Sequence, residues 1–322
     1  MVGKVGPDGL NQYVFNRLGS VDESVVVGPA YGEDTAAIDL GDRVLVVNSD
    51  PIIYAGDRVG TLGVNIASND LAASGAEPRW MTITYLLPDG DEDYLDKISR
   101  QIDNSSQELG IAIIGGHSEY ISGIKRPFLS LTCFGLADRY IPTGGVRPED
   151  KLILTKGAGI EATGILATDF REELEGEVAE EDLDKGADRL TQLSVLPEGL
   201  LLNDYATAMH DPTEGGVLAG LFEMASASGL ALEIEREEIV VNPDTEKICE
   251  AAEVDPLKVF GSGALIASVP AAEVQEALEL LSNNGIRAAV IGEARASDAI
   301  GLKVDGETFD EPIGEQTYEL WD

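Results

Sequence analysis

The sequence predicts an α/β or α+β protein built as two units, and three observations predict it. Short apolar, β-branched runs alternate with helix-period stretches along the whole chain. At 322 residues the chain is long for one domain and comfortable for two. A turn-rich, apolar-poor stretch, Pro142-Thr143-Gly144-Gly145-Val146-Arg147-Pro148-Glu149-Asp150, divides it near the middle. The expected units are residues 1–149 and 150–322.

In the first unit, Val44-Leu45-Val46-Val47 reads as a buried strand. From Arg58 to Ser74, Val59, Leu62, Ile66, Leu71 and Ala73 recur at helical spacing. Met81 to Leu87 alternates as a strand and is stopped by Pro88. Asp91 to Leu109 is an amphipathic helix with Tyr94, Leu95, Ile98 and Ile102 inward. Ile111–Ile114 and Phe128–Phe134 are further strands.

The second unit opens with the strand Lys151–Thr155. Helices are expected around Ile160–Phe170, Asp182–Leu193, Pro197–Tyr205, Glu214–Ser228, Asp244–Ala252 and Ala271–Asn283, with Glu172–Asp184 as an exposed loop or helix start. Gly263–Val269 is a strand and Arg287–Ile291 a closing one.

Charge is the strongest compositional fact. Asp and Glu number 59 against 22 Lys and Arg, for a net charge of -37. Such a surface repels phosphodiester backbones and argues against nucleic acid as a partner. An apolar content of 43% argues against a disordered acidic chain. A folded, halophilic protein is expected, its self-repulsion screened by salt. No apolar run is long enough to span a membrane, and the first residues carry no apolar signal core. Two distant cysteines, Cys133 and Cys249, provide neither a disulfide framework nor a cysteine zinc cage, as expected for a cytoplasmic protein.

Most carboxylates in so acidic a chain are solvated surface. Four places differ. Gly32-Glu33-Asp34-Thr35-Ala36-Ala37 and Ser49-Asp50-Pro51 put acids at turns or strand ends. Asn69-Asp70 falls inside an apolar helix, where an ion is costly unless partnered. Gly115-Gly116-His117-Ser118-Glu119 follows a strand. Such acids are either turn caps or hard oxygen ligands for Mg²⁺ bound together with phosphates. In the second unit, Met209-His210-Asp211-Pro212-Thr213-Glu214-Gly215-Gly216 precedes a helix whose free N–H groups favour anions. A capping turn explains part of that motif, but its density of special residues exceeds what a cap needs. Gly157-Ala158-Gly159-Ile160-Glu161-Ala162 fits the G-x-G-x-x-A dinucleotide pattern without a clean β-α-β return. There is no phosphate-binding Gly-Lys-Ser/Thr loop and no Gly-x-Ser-x-Gly elbow.

Together, the Gly32–Ala37, Asn69–Ala76, Gly115–Glu119 and Met209–Gly216 motifs resemble, in order, those of the AIR synthase-related (PurM-like) superfamily. The His210–Gly216 run and Lys156-Gly157-Ala158-Gly159-Ile160-Glu161 most resemble its HypE, hydrogenase-maturation branch. The resemblance implies a PurM-like two-domain fold, in which the N-terminal sheets of a homodimer form a barrel with an ATP groove. It implies that Asp34, Asp50 and Asp70 hold Mg²⁺–ATP, with Asn69, Gly115, Gly116 and Glu119 beside the nucleotide and Lys4 on a phosphate. Ser118-Glu119 inverts the usual order of that motif. His210 and Asp211 would face the nucleotide from the second domain as catalytic groups. HypE itself ends in a Pro-Arg-Ile-Cys tail, whereas this chain ends Tyr318-Glu319-Leu320-Trp321-Asp322. The expected activity is transfer or cleavage of the ATP γ-phosphate on a small acceptor. The alternatives are a non-catalytic nucleotide-binding assembly factor with a maturation-protein partner, and a thiamine-monophosphate kinase.

Overall fold

The computed structural model describes residues 4–53, 56, 58–88, 92–296 and 300–321. Its N-terminal part opens with a short helix, α1 (Pro7–Tyr13), and holds one six-stranded sheet. The strands are β1 (Val25–Val27), β2 (Ala36–Asp39), β3 (Val44–Ile52), β4 (Glu77–Leu87), β5 (Ala112–Tyr120) and β6 (Phe128–Ala137). They lie in the order β1-β2-β3-β6-β4-β5. All neighbours are antiparallel except β4 and β5, and that parallel pair takes the crossover helix α3 (Glu92–Leu109) it requires. Helix α2 (Val59–Ala73) packs against β3 and β6 and is buried on almost every side.

The second part holds a seven-stranded sheet, β13-β12-β9-β11-β7-β10-β8. Its strands are β7 (Lys151–Thr155), β8 (Ala208–His210), β9 (Ala231–Ile234), β10 (Ile266–Val269), β11 (Ala288–Arg295), β12 (Gly301–Val304) and β13 (Glu307–Phe309). The helices are α4 (Ile160–Asp169), α5 (Arg171–Leu174), α6 (Glu180–Asp188), α7 (Leu196–Leu202), α8 (Gly216–Ser228), α9 (Pro243–Ala251) and α10 (Val274–Asn283). Among the described residues no helix is long and apolar enough to cross a membrane.

The two halves share a core. Ala162 and Ile165 of α4, with Leu193 and Phe260, join the apolar cluster of α2 and the first sheet. This explains why α2 is apolar all round: one side meets its own sheet and another meets α7 and β8.

Three features differ from the sequence expectation. Asp50 lies within β3 rather than after it, because the ladder to β6 continues through Asp50↔Leu131 to Ile52↔Leu129. The Gly115–Glu119 motif is strand rather than turn, since β5 pairs with β4 from Trp80↔Ala112 to Leu87↔Tyr120. Gly116 adopts φ +151°, and a Cβ there would lie 1.8 Å from the Ile83 carbonyl oxygen, so the second glycine admits close backbone approach inside the sheet. Strand Ala288–Arg295 does not close the second sheet. The chain returns through β12 and β13, joined at Asp305-Gly306, where both φ values are positive (+50° and +87°), as an I′ hairpin turn requires.

Every residue of edge strand β5 is exposed, including Ile113 (43%) and Ile114 (58%).

Candidate functional site

The site forms where β3, α2 and the loop after β8 converge. On β3, Asn48 and Asp50 are two residues apart and share one face. The Asn48 Nδ2 group donates to Asp50 Oδ2 at 2.6 Å and to Asp70 Oδ2 at 2.7 Å, so one amide holds two carboxylates together. Its Oδ1 in turn accepts from the Cys133 amide at 3.3 Å. Asp70, in the last turns of α2, is 4% exposed. Burial, with the charges of Asp50, Asp211 and Asp34, raises its carboxyl well above the usual aspartate range.

Asp211 follows β8 and is 1% exposed, and neither carboxylate oxygen finds a hydrogen-bond partner among the described residues. Burial pushes it up to about 7, partly opposed by the His210 charge. Asp50 is likewise raised, chiefly by burial. Asp34 opens toward the cavity, and the protein around it raises its carboxyl too. Four acids of separate elements thus crowd one place with little positive charge between them.

His210 is the exception. Burial alone would lower its imidazole, but the hydrogen bond to Glu223 and the charges of Asp34 and Glu223 outweigh this and raise it to about 9. Its Nε2 lies 2.8 Å from Glu223 Oε2 and its Nδ1 3.3 Å from Asp34 Oδ2. At neutral pH it is an imidazolium fixed between two carboxylates, a geometry that orients Asp34. Lys4 stands at the mouth. Its Nζ donates to Thr213 Oγ1 at 3.2 Å and pairs with Glu214 at 3.2 Å.

Of these groups, Lys4, Asp34, Asp50, Asp70, Thr213 and Glu214 border a cavity of about 240 Å³, while Asn48, His210, Asp211 and Glu223 lie behind its wall. Its polar wall includes Lys4, Asp34, Asp50, Asp70, Glu161 and Glu214, and its apolar wall includes Ile52, Leu62, Ile66 and Phe260. Among the described residues no three His, Cys, Asp or Glu side chains form a ready metal cage. The donor set therefore suits a hard cation that arrives with oxygen ligands of its own.

Of the residues singled out in the sequence, Asp34, Asp50, Asp70, Asp211 and Lys4 come together. Asn69 faces away and joins the two halves: its Nδ2 donates to the Leu193 carbonyl at 2.8 Å and its Oδ1 accepts from the Val195 amide at 2.9 Å. Gly115, Gly116 and Glu119 stay on β5, separated from β3 by β6 and β4, and do not reach the cavity within one chain. Sequence reasoning missed Asn48, Glu161, Glu223 and Ser262. Asn48 left a signal in its two-residue spacing from Asp50 on a strand, and Glu161 lay inside the Gly157–Ala162 motif without being read as a site residue.

Residues 32–137 match the N-terminal domain model of AIR synthase related proteins and residues 147–305 the C-terminal one. A protein of Methanocaldococcus jannaschii named for hydrogenase expression and formation is 29% identical over 97% of this chain and 95% of its own. Carbamoyl dehydratase HypE of Rhizobium leguminosarum is 28% identical over 83% of this chain and 78% of its own. AaThiL complexed with AMPPCP and TMP superposes with a TM-score of 0.77 at 20% identity, covering 97% of each chain. A chain of the HypE–HypF complex superposes at 0.71 and 21% identity, covering 88% of this chain and 94% of that one. With both family domains matched in order and such relatives spanning most of its length, the chain belongs to the AIR synthase-related family.

Proposed function

We propose that the cavity binds Mg²⁺–ATP and transfers the γ-phosphoryl group to a small acceptor. The observation that carries this reading is the carboxylate cluster: Asp34, Asp50, Asp70 and Asp211 converge, and among the described residues neither oxygen of buried Asp211 has a hydrogen-bond partner. A buried carboxylate without a counter-charge is costly, and a cation removes that cost. Asp34, Asp50 and Asp70 would hold Mg²⁺, which when bound supplies charge neutralisation and alignment of the phosphates. Asn48 fixes the spacing of Asp50 and Asp70, His210 fixes Asp34, and Lys4 offers an ammonium to a phosphate at the mouth. The domain division at residues 149/150 follows from the same reading. AMPPCP bound to AaThiL and ATP bound to a HypE structure support a nucleotide-dependent reaction.

The fully exposed edge of β5 supports a homodimer in which Gly115, Gly116 and Glu119 meet a second chain. The same surface favours the second reading, a nucleotide-binding maturation factor that docks a partner, as HypE does in the HypE–HypF complex. A net charge of -37 supports a halophilic setting, and two free, distant cysteines support a reducing, cytoplasmic one. The test is ADP release by purified protein in multimolar KCl with Mg²⁺–ATP. Turnover supports the enzyme; tight nucleotide binding without turnover under any acceptor supports the docking factor.

A further inference from the structure

The Gly157–Ala162 turn, which fits a dinucleotide pattern in the sequence, leads instead into the cavity wall. Helix α4 begins at Ile160, and its second residue, Glu161, is 5% exposed and borders the cavity. Glu161 Oε2 accepts a hydrogen bond from the Ser262 amide at 3.3 Å. Ser262 is fully buried on the same wall, and its hydroxyl has no hydrogen-bond partner among the described residues. Phe260 closes the apolar side, edge-on to Tyr318 at 5.8 Å.

This end of the cavity is built from other elements than the aspartate cluster, α4 and the segment before β10 rather than β3 and α2. The charges that bear on Glu161 are those of Glu315, on the C-terminal segment, and Glu214, before α8. Those that bear on Asp70 are Asp50, Asp211 and Asp34. Glu214 borders the same cavity, and its charge bears on both Asp34 and Glu161. Burial pushes Glu161 up to about 7, offset in part by the Ser262 contact, which places it in the range of a general base at neutral pH. Lys4 is the one cation among the described residues bordering the cavity, and Glu214 already holds it. An anionic acceptor therefore finds no counter-charge beside Glu161.

We propose that the Glu161–Ser262 end is the acceptor subsite, that it takes an uncharged or cationic small molecule with a protonated oxygen or nitrogen nucleophile, and that Glu161 removes that proton. The inference rests on the aspartate end being the nucleotide site. In the step, a bond forms between the acceptor heteroatom and the γ-phosphorus. The bond from that phosphorus to the β,γ-bridging oxygen breaks, and its electron pair stays on ADP. The acceptor proton passes to the Glu161 carboxylate and then to water. The Ser262 hydroxyl, beside Glu161, orients the acceptor heteroatom.

The test measures ADP release from Mg²⁺–ATP by the full chain between pH 6 and 9, with water alone, acetamide, ethanolamine or glycerol 3-phosphate. Wild type is compared with E161Q, E161D and S262A, and Mg²⁺–AMPPCP binding is measured for each. Acetamide or ethanolamine is expected to raise ADP release and glycerol 3-phosphate is not. E161Q is expected to lower kcat at least 100-fold, to abolish the rise in rate through pH 7, and to leave AMPPCP affinity within twofold. E161D, which keeps a carboxylate, restores part of the rate, and S262A raises the acceptor KM. Wild-type rates in E161Q, preference for glycerol 3-phosphate, or AMPPCP binding with no response to any acceptor would overturn the proposal and leave the nucleotide site standing. Absence of AMPPCP binding in wild type would overturn both.

Discussion

Replacing Asp211 by Asn should stabilise the ligand-free protein while destroying the function of the site. Asp211 is buried, has no hydrogen-bond partner among the described residues, and has its carboxyl raised from the ordinary 3.8 to about 7. Because the folded value exceeds the unfolded one, the folded state binds the proton more tightly. Stability is therefore lost as pH rises from about 4 to 7, and the penalty is fully present above 7. A gap of about three pH units at 1.36 kcal/mol each sets a ceiling on the order of 4 kcal/mol. The repulsion is shared with Asp70, Asp50 and Asp34, so D211N should recover about 2–4 kcal/mol at pH 8. For a chain of this size that corresponds to roughly 4–8 °C in Tm. At pH 5 the folded carboxyl is protonated but the unfolded one is already ionised, so about a third of the penalty is present and the gap should shrink to about 2 °C. The assay is thermal melting at pH 5 and pH 8 in the same KCl concentration, with and without Mg²⁺–AMPPCP. Wild type should gain stability from the nucleotide and D211N should not. A D211N protein less stable than wild type at both pH values, yet still stabilised by the nucleotide, would refute the reasoning.

Three further outcomes follow from the same structure. Melting temperature should rise steeply from low to multimolar KCl, because ions screen the self-repulsion of a chain with net charge -37; a flat profile contradicts the halophilic reading. The double variant Cys133→Ala, Cys249→Ala should keep its turnover and lose ~1 kcal/mol per site, since both thiols are fully buried and burial raises each to about 12; loss of ADP release in a folded double variant would mean that a thiol carries substrate. Asn69→Ala should cost about 2–4 kcal/mol by denaturant unfolding, because it leaves the Leu193 carbonyl and Val195 amide without their side-chain partner between the halves; an unchanged midpoint would show that water replaces the bridge.

The sequence was legible where one period or one anomaly sufficed. Helix α2 and strand β7 fall within a residue or two of their expected ends, because the first repeats apolar residues at helical spacing and the second is a short apolar run. Asp70 stood out because an ion inside such a run needs a partner, and its four-acid surroundings show why. Short strands were not legible: β8 is three residues long and completely buried, too brief to show alternation. The β12–β13 hairpin did carry a signal, Asp305-Gly306 between short apolar segments, that the strand reading passed over. Glu161 and Ser262 lie 101 residues apart in sequence and meet only through the packing of α4 beside the β10 strand approach. No local pattern announces such a pair. Nor does a Gly-Gly motif reveal whether it turns the chain or lets two strands approach, which only the Ile83 contact at Gly116 decides.

The most direct test of the account is calorimetric titration with AMPPCP in the presence and absence of Mg²⁺, comparing wild type with D70N and with E92Q. Asp70 is buried in the carboxylate cluster, whereas Glu92 is exposed at the start of α3. The account predicts saturable, Mg²⁺-dependent binding in wild type and E92Q, weakened at least 100-fold in D70N. Equal affinity in all three proteins, or binding indifferent to Mg²⁺, would show that the aspartate cluster is not where the nucleotide and its metal are held.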